Sequence, residues 1–214
     1  MIAEPGVTLT DYGLSLESAL FAYLLYREGD RRNPLRNWFA LFFGSLGLAA
    51  WIGGSVHGFF QDEGTPEYAV LWSATLLAIG VTTLAAWVIG ARIQFSEKIG
   101  KWITVVAVME FLGYCIVVLS DTRAFWIAIA DYLPAAVFLL MVFILAYKRT
   151  RERQPAIGST GLTLTFIASW VQRRGIALHP SYFDHNAFYH LIQAAALFLI
   201  FLSARWFVNE GETS

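Results

Sequence analysis

The sequence predicts an all-α, polytopic membrane protein built as a bundle of seven transmembrane helices. Hydrophobic residues occupy 57% of the 214 positions and charged residues only 14%, whereas a soluble domain carries roughly 25% charged residues. Apolar stretches of about 20 residues, the length that crosses a bilayer, recur along the chain with short polar segments between them. Lys and Arg are unevenly divided between the two sets of connecting segments, as is typical of membrane proteins.

The apolar stretches leave no room for a separate soluble domain, so residues 1–214 are expected to form one transmembrane domain. The N-terminal segment MIAEPGVTLTD lacks the basic start of a signal peptide, so the first span is expected to be retained. The sixth stretch is the weakest because it is rich in Gly, Ser and Thr. The predicted spans are residues 9–27, 37–60, 68–91, 101–120, 124–147, 156–177 and 184–208.

The basic residues set the predicted orientation. Twelve of the 15 Lys and Arg residues lie in loops one, three and five or near the C-terminus. Cytoplasmic loops carry such an excess, so the N-terminus is expected outside and the C-terminus in the cytoplasm. The short loops fit a bacterial inner (plasma) membrane, while the oligomeric state stays open. The net charge of −1 and the lack of a basic, aromatic-rich patch argue against nucleic acid as a partner.

Several ionisable side chains lie within the predicted spans. Such residues cost about 2.5–3.5 kcal/mol at the membrane centre, and for this reason they commonly have functional roles. The predicted orientation places most of them in the outer half of the bundle, with Glu110 closer to the middle. They are Glu17 in span one, His57 in span two, Glu110 in span four, Asp131 in span five and His190 in span seven, with Asp11 and His185 at span mouths.

This layer of imidazoles and carboxylates predicts a metal site. Three histidines suit zinc, with water or substrate in the fourth position, and zinc lowers the pKa of its bound water to about 7. Glu110 or Asp131 is expected to shuttle the proton or to orient a metal ligand. A site of this kind in a membrane is expected to hydrolyse an amide or ester bond of a lipid.

The histidines also have plainer interpretations. His57, in GGSVHGF, and His190 can each hydrogen-bond a neighbouring helix. His185 lies about 140° around an ideal helix from His190, but it can swing inward if Asp184 caps the helix. Otherwise His185 faces the membrane interface.

The acidic residues have plainer interpretations too. Asp11, in LTDYG, can be a helix N-cap, and Glu110 and Asp131 can each pair with another polar side chain. Asp62, in an acidic loop, can be solvated. A non-enzymatic alternative therefore stays open, in which the same residues form a relay in a proton or metal transporter, or a ligand site in a receptor.

The predicted topology, the histidine at the end of span two and the segment FDHNAFYH at the start of span seven resemble the CREST superfamily. That superfamily includes alkaline ceramidases and the progestin and adipoQ receptors. Its members are seven-helix proteins that hold zinc through one histidine of the second core span and two of the seventh, and the ceramidases cleave an amide bond. The resemblance implies that His57 and His190 bind zinc and that a membrane lipid is the substrate.

The chain departs from the family pattern in the last span. The family pair is spaced H-x3-H, and here Asn186 stands four residues before His190, with His185 beside it. The resemblance therefore leaves His185 as the candidate for the third zinc ligand.

The family serine and aspartate are also displaced. The serine position corresponds to Gly53, with Ser55 close by, and the residues nearest to the aspartate position are Asp62 and Glu63. By resemblance, Ser55 and Asp62 become candidate catalytic residues beside the metal.

Overall fold

The computed structural model describes residues 2–120, 124–179 and 183–209. These residues form helices, apart from the connections and one isolated bridge between His179 and Phe183, so the predicted all-α fold is confirmed. Each predicted span corresponds to one helix. The helices are α1 Pro5–Glu28, α2 Leu35–Phe59, α3 Pro66–Gln94, α4 Glu97–Leu119, α5 Phe125–Thr150, α6 Arg153–Arg173 and α7 His185–Asn209.

Several of these helices could cross a membrane. Within the described ranges, α2, α3, α4, α5 and α7 are long and apolar enough to do so. The other two helices are comparable in length, 24 residues for α1 and 21 for α6, but carry more polar side chains. The chain is therefore a helical protein of membrane type with several candidate spans.

Six of the helices form a closed ring in the order α1, α2, α3, α5, α6 and α7, with α7 packed on α1, while α4 lies outside the ring against α3. Contacts between helix ends show that the chain reverses direction. Ala3 N donates to Gly58 O at the junction of α1 and α2, and Asn33 Nδ2 donates to Phe207 O beside the end of α7. We call the end that holds Glu4, His57 and His190 the histidine end, and the opposite end the basic end.

An aromatic cluster fills the interior between α1, α2 and α7. Phe21 stacks on Phe201 with ring centroids 4.2 Å apart, and it meets the edge of Phe43 at 5.5 Å. All three rings are buried, and such pairs add about 0.5–1.5 kcal/mol to the free energy gained by burying apolar area. This cluster fixes the three helices that supply the histidine end.

Two glycines bring α1 close to α2 at the histidine end. A Cβ atom on Gly54 would lie 2.7 Å from Cβ of Asp11, and one on Gly58 would lie 3.0 Å from the side chain of Thr8. Small residues spaced four apart allow helix backbones to approach closely. The G-x3-G spacing therefore allows α2 to cover the α1 face that carries Asp11.

Candidate functional site

His190 lies between two neighbouring side chains of α1. Its Nδ1 is 3.0 Å from Thr10 Oγ1, and its Nε2 is 3.3 Å from Asp11 Oδ1. The side chains of His190 and Asp11 are only 11% and 9% exposed. Because α1 and α7 run side by side from the histidine end, residues from opposite ends of the chain form one buried site.

The hydrogen bonds of Thr10 indicate the tautomer of His190. The Thr10 hydroxyl donates within its own helix, where Gly6 O and Val7 O each lie at 2.9 Å. Its oxygen can then accept a hydrogen bond from Nδ1–H of His190, which leaves a lone pair on Nε2. That lone pair faces a carboxyl oxygen, so a proton or a metal ion between the two atoms is required for a favourable contact.

The distance between His190 and Asp11 suits two ligands of one metal ion. Charge-assisted N–H···O hydrogen bonds usually measure about 2.7–2.9 Å, shorter than the 3.3 Å found here. Two ligand atoms that bind a tetrahedral zinc ion at 2.0–2.1 Å lie about 3.3–3.4 Å from each other. His190 and Asp11 are thus spaced as zinc ligands would be.

His57 pairs with a carboxylate at the surface of the same end. Its Nδ1 donates to Glu4 Oε2 at 2.8 Å, and the two side chains are 34% and 43% exposed. In the described part of the chain its Nε2 has no hydrogen-bond partner. A carboxylate on one nitrogen of a histidine ring is the usual partner of a histidine that binds metal through the other.

The predicted set of His57, His185 and His190 fits zinc only in part. Asp11 and His190 have suitable spacing, and Glu4 and Thr10 hold the Nδ1 atoms of the two internal histidines. Across residues 2–120, 124–179 and 183–209, however, no three His, Cys, Asp or Glu side chains are close enough to hold a metal ion. His57 does not complete such a group with Asp11 and His190 in this structure, so zinc stays a prediction.

The other two candidates, His185 and Asn186, lie at the start of α7 and make no side-chain hydrogen bond to Asp11 or His190 among the described residues. His185 is half-buried in the first turn and makes no hydrogen bond or ion pair within the described ranges. Asp184 Oδ1 accepts from Ala187 N at 2.9 Å, which confirms the predicted cap. Asn186 Oδ1 accepts from Gln172 Nε2 at 2.9 Å and so ties α7 to α6.

Ser55 and Asp62 make contacts that stabilise local structure. The Ser55 hydroxyl donates to Trp51 O at 2.8 Å, and its oxygen accepts from the hydroxyl of Tyr12 at 3.1 Å. Asp62 is exposed, and its Oδ1 accepts from Gly64 N at 3.0 Å in the turn before α3. Neither side chain contacts His190 among the described residues, and their catalytic roles stay predictions.

The N-cap interpretation of Asp11 is wrong. Helix α1 begins at Pro5, which is favoured in the first turn because proline has no N–H to leave unsatisfied. Asp11 therefore lies well inside the helix, on the buried stripe that also contains Thr8 and Ser18.

The remaining acids lie elsewhere in the bundle. Asp131 on α5 lies near Thr83 on α3 and Glu110 on α4, away from the α1–α7 contact. Its Oδ2 is buried without a hydrogen-bond partner among the described residues, as is Oε2 of Glu17 on α1. The shuttle role of Glu110 or Asp131 at the histidine end stays a prediction.

The sequence alone did not single out Thr10 or Glu4 as members of the site. Thr10 is adjacent to Asp11, and Glu4 is seven residues before it. Seven residues are about two helical turns, so Glu4, directly before α1, and Asp11 within it are expected on the same side of that helix. That spacing was the sequence signal that could have linked Glu4 to the site, although it does not indicate which histidine each acid contacts.

Fold and site together define a class of protein: a membrane-type helical bundle with a buried histidine–carboxylate pair between its first and last helices. The chain belongs to DUF6962, a family of unknown function whose model matches residues 7–207. No curated protein and no solved structure matches the chain.

Proposed function

We propose that this protein is an integral membrane hydrolase that cleaves an amide or ester bond of a membrane lipid, with zinc as its cofactor. The observation that carries the proposal is the 3.3 Å approach of His190 Nε2 to Asp11 Oδ1 in a buried site. Either a proton or a metal ion between the two atoms would satisfy this contact, and acid–base groups of this kind are what hydrolysis requires.

In this proposal all seven helices span the membrane, with the histidine end outside. At 1.5 Å per residue, α1 and α6 are about 36 and 32 Å long, sufficient for a hydrocarbon core of about 30 Å. Leu9 and Leu16, on the outer face of α1, are exposed and would contact lipid tails. A lipid substrate would then reach the pair from the membrane.

The residues of the site have distinct proposed roles. Asp11 and His190 hold the ion, and His57 joins them through Nε2. Thr10 and Glu4 orient the two rings by accepting from their Nδ1 atoms. Bound zinc would supply Lewis acidity and an activated water, and the glycines of α2 keep bulk water away from Asp11.

Metal content and lipid hydrolysis of the detergent-purified protein test this proposal. We expect about one zinc ion per chain and hydrolysis of lipids such as ceramides or diacylglycerols. Asp11→Asn and His190→Gln should lose both. Glu67→Gln, an exposed carboxylate at the same end, is the matched control and should retain both. If metal-free protein hydrolyses lipid, zinc is not the cofactor. If metal-loaded protein hydrolyses none of these lipids, the proposed hydrolase activity is wrong.

A proton relay is the second candidate, and a separate observation favours it. The Glu4–His57 pair is half-exposed and the Asp11–His190 pair is buried, so two acid–base pairs lie at successive depths along α1. Proton transfer between them would carry charge inward from the surface. Proteoliposomes with an internal pH dye test this candidate, because Glu4→Gln should slow acidification. Equal rates for the variant and the parent would exclude the relay.

A further inference from the structure

A cleft at the basic end lies apart from the histidine site. It lies between the ends of α3, α5 and α7 and the starts of α2 and α4, and it has a volume of about 630 Å³. This is within the range of about 300–1,000 Å³ that is common for ligand pockets. Its walls include Arg92, Lys101 and Arg149.

The charge of the cleft favours an anion. The three cations share the lining with one acid, Glu97, which pairs with Lys101 at 2.7 Å. The cleft therefore has an excess of two positive charges. Arg149 also donates to Ile93 O at 3.4 Å, which ties the end of α5 to the end of α3 and keeps its guanidinium at the cleft.

The start of α4 adds to this preference. Ser96 lines the cleft and precedes the helix without capping it through its side chain. The first N–H groups of α4 are thus left for another acceptor, and helix N-termini favour phosphate. A helix N-terminus, two arginines and a lysine then converge on one space.

The surroundings of the cleft indicate that the anion it favours is the phosphate of a lipid headgroup. Only 17% of the residues in the most apolar part of α4 are buried within the protein, compared with 67% for α3. Val105, one turn after Lys101, lines the cleft and is 49% exposed. The charged rim thus continues into an apolar surface that faces the membrane, as a headgroup continues into acyl chains.

We propose that this cleft binds the phosphate headgroup of an anionic membrane lipid. Arg92 and Arg149 contact the phosphate oxygens, and Lys101, which pairs with Glu97, lines the same space. The acyl chains lie along the exposed face of α4, near Val105. Basic pockets between helices at the cytoplasmic side are known to hold such headgroups. This site is independent of the proposed hydrolase chemistry because it involves none of the same residues.

The test measures thermal unfolding of the detergent-purified full chain with added lipid. Short-chain phosphatidylglycerol should raise the melting temperature in a concentration-dependent way, and phosphatidylcholine with the same chains should not. Arg92→Gln should weaken the apparent affinity roughly tenfold, as expected for the loss of one charge-assisted contact. The double variant Arg92→Gln/Arg149→Gln should abolish the shift.

Matched controls separate the cleft from general surface charge. Arg31 and Arg153 are exposed at the same end but do not line the cleft, so Arg31→Gln/Arg153→Gln should keep the full shift. Arg92→Gln alone keeps the test decisive if the Arg149 variant fails to fold, because the Ile93 contact is then intact. Soluble glycerol phosphate distinguishes the source of the phosphate and should produce little shift.

Three results would overturn the proposal. Equal shifts with phosphatidylcholine would show a general lipid effect. A full shift in a folded Arg92→Gln/Arg149→Gln variant would place the lipid elsewhere. A full shift with glycerol phosphate would make the ligand a free phosphate compound and remove the lipid.

Discussion

His190 Nε2 and Asp11 Oδ1 lie 3.3 Å apart in a buried position, although they belong to the last and the first helix of the chain. Thr10 occupies the other ring nitrogen of His190. An imidazole with a hydroxyl acceptor on one side and a carboxyl group on the other is held in one orientation. The ring of His190 is thereby positioned by contacts within the protein itself.

Removing the Thr10 hydroxyl tests the orientation of the ring. Thr10→Val keeps the shape of the side chain but cannot accept from Nδ1–H. We expect zinc affinity to fall about 10–100-fold, as it does when outer partners of metal ligands are lost, while the helical content is unchanged. A metal-competition titration measures the affinity. Thr160→Val, which removes an exposed hydroxyl from α6, should leave it unaltered, and equal affinity in the two variants would contradict the role of Thr10.

Gly54 is expected to be a sensitive position for stability. Gly54→Ala places a Cβ 2.7 Å from that of Asp11, so α1 must shift at an estimated cost of about 1–3 kcal/mol in the free energy of unfolding. Gly13→Ala in α1 has no atom within 4 Å of the new Cβ and should be neutral or slightly stabilising. Reversible unfolding in detergent micelles measures both variants. Similar stabilities would show that the α1–α2 contact is looser than described.

Asn33 joins two helix ends. Its Nδ2 donates to Phe207 O and Val208 O at 2.8 and 3.1 Å, and its Oδ1 accepts from Leu35 N at 2.9 Å. Asn33→Ala leaves these buried groups unsatisfied and should lower the free energy of unfolding by about 1–3 kcal/mol.

The exposed Asn37→Ala is the control for Asn33→Ala and should change stability by less than about 0.5 kcal/mol. The same unfolding experiment applies to both. If Asn33→Ala is as stable as its control, water must replace the lost contacts.

Thiol labelling tests the proposed orientation. Cys115 is the only cysteine, so Cys115→Ala gives a background into which Asp62→Cys and Lys98→Cys can be introduced singly. A membrane-impermeant maleimide added to intact cells should label position 62 at the histidine end and not position 98 at the basic end. The reverse pattern would invert the topology, and labelling at both positions would rule out an odd number of spans between them.

The helices could be predicted because each contains an apolar run long enough to be recognised from its own stretch of sequence. The cap at Asp184 followed from the same kind of local signal, since an aspartate stands directly before the helical segment. The start of α1 was placed too late because residues 5–8 are not strongly apolar, although Pro5 suits a first helical turn.

The partners within the site could not be predicted because they depend on helix rotation and neighbours. The sequence identified His57, His190 and Asp11 as unusual for a membrane span, and the structure brings the last two together. It could not show that Glu4 contacts His57, or that Glu110 and Asp131 lie near each other on helices α4 and α5. Hydrophobic patterning sets which residues are helical, whereas tertiary packing sets which polar groups meet.

The closed ring has a consequence for biosynthesis. Asp11 emerges from the ribosome with the first helix, whereas His190 follows only with the last, so the nascent chain holds an acidic group without its partner while α2 to α6 are made. A chain that stops before α7 would leave that acid uncompensated in an apolar setting. Truncated products should thus assemble poorly and be degraded by quality-control proteases. The packing of α7 against α1 is the step that stabilises the fold.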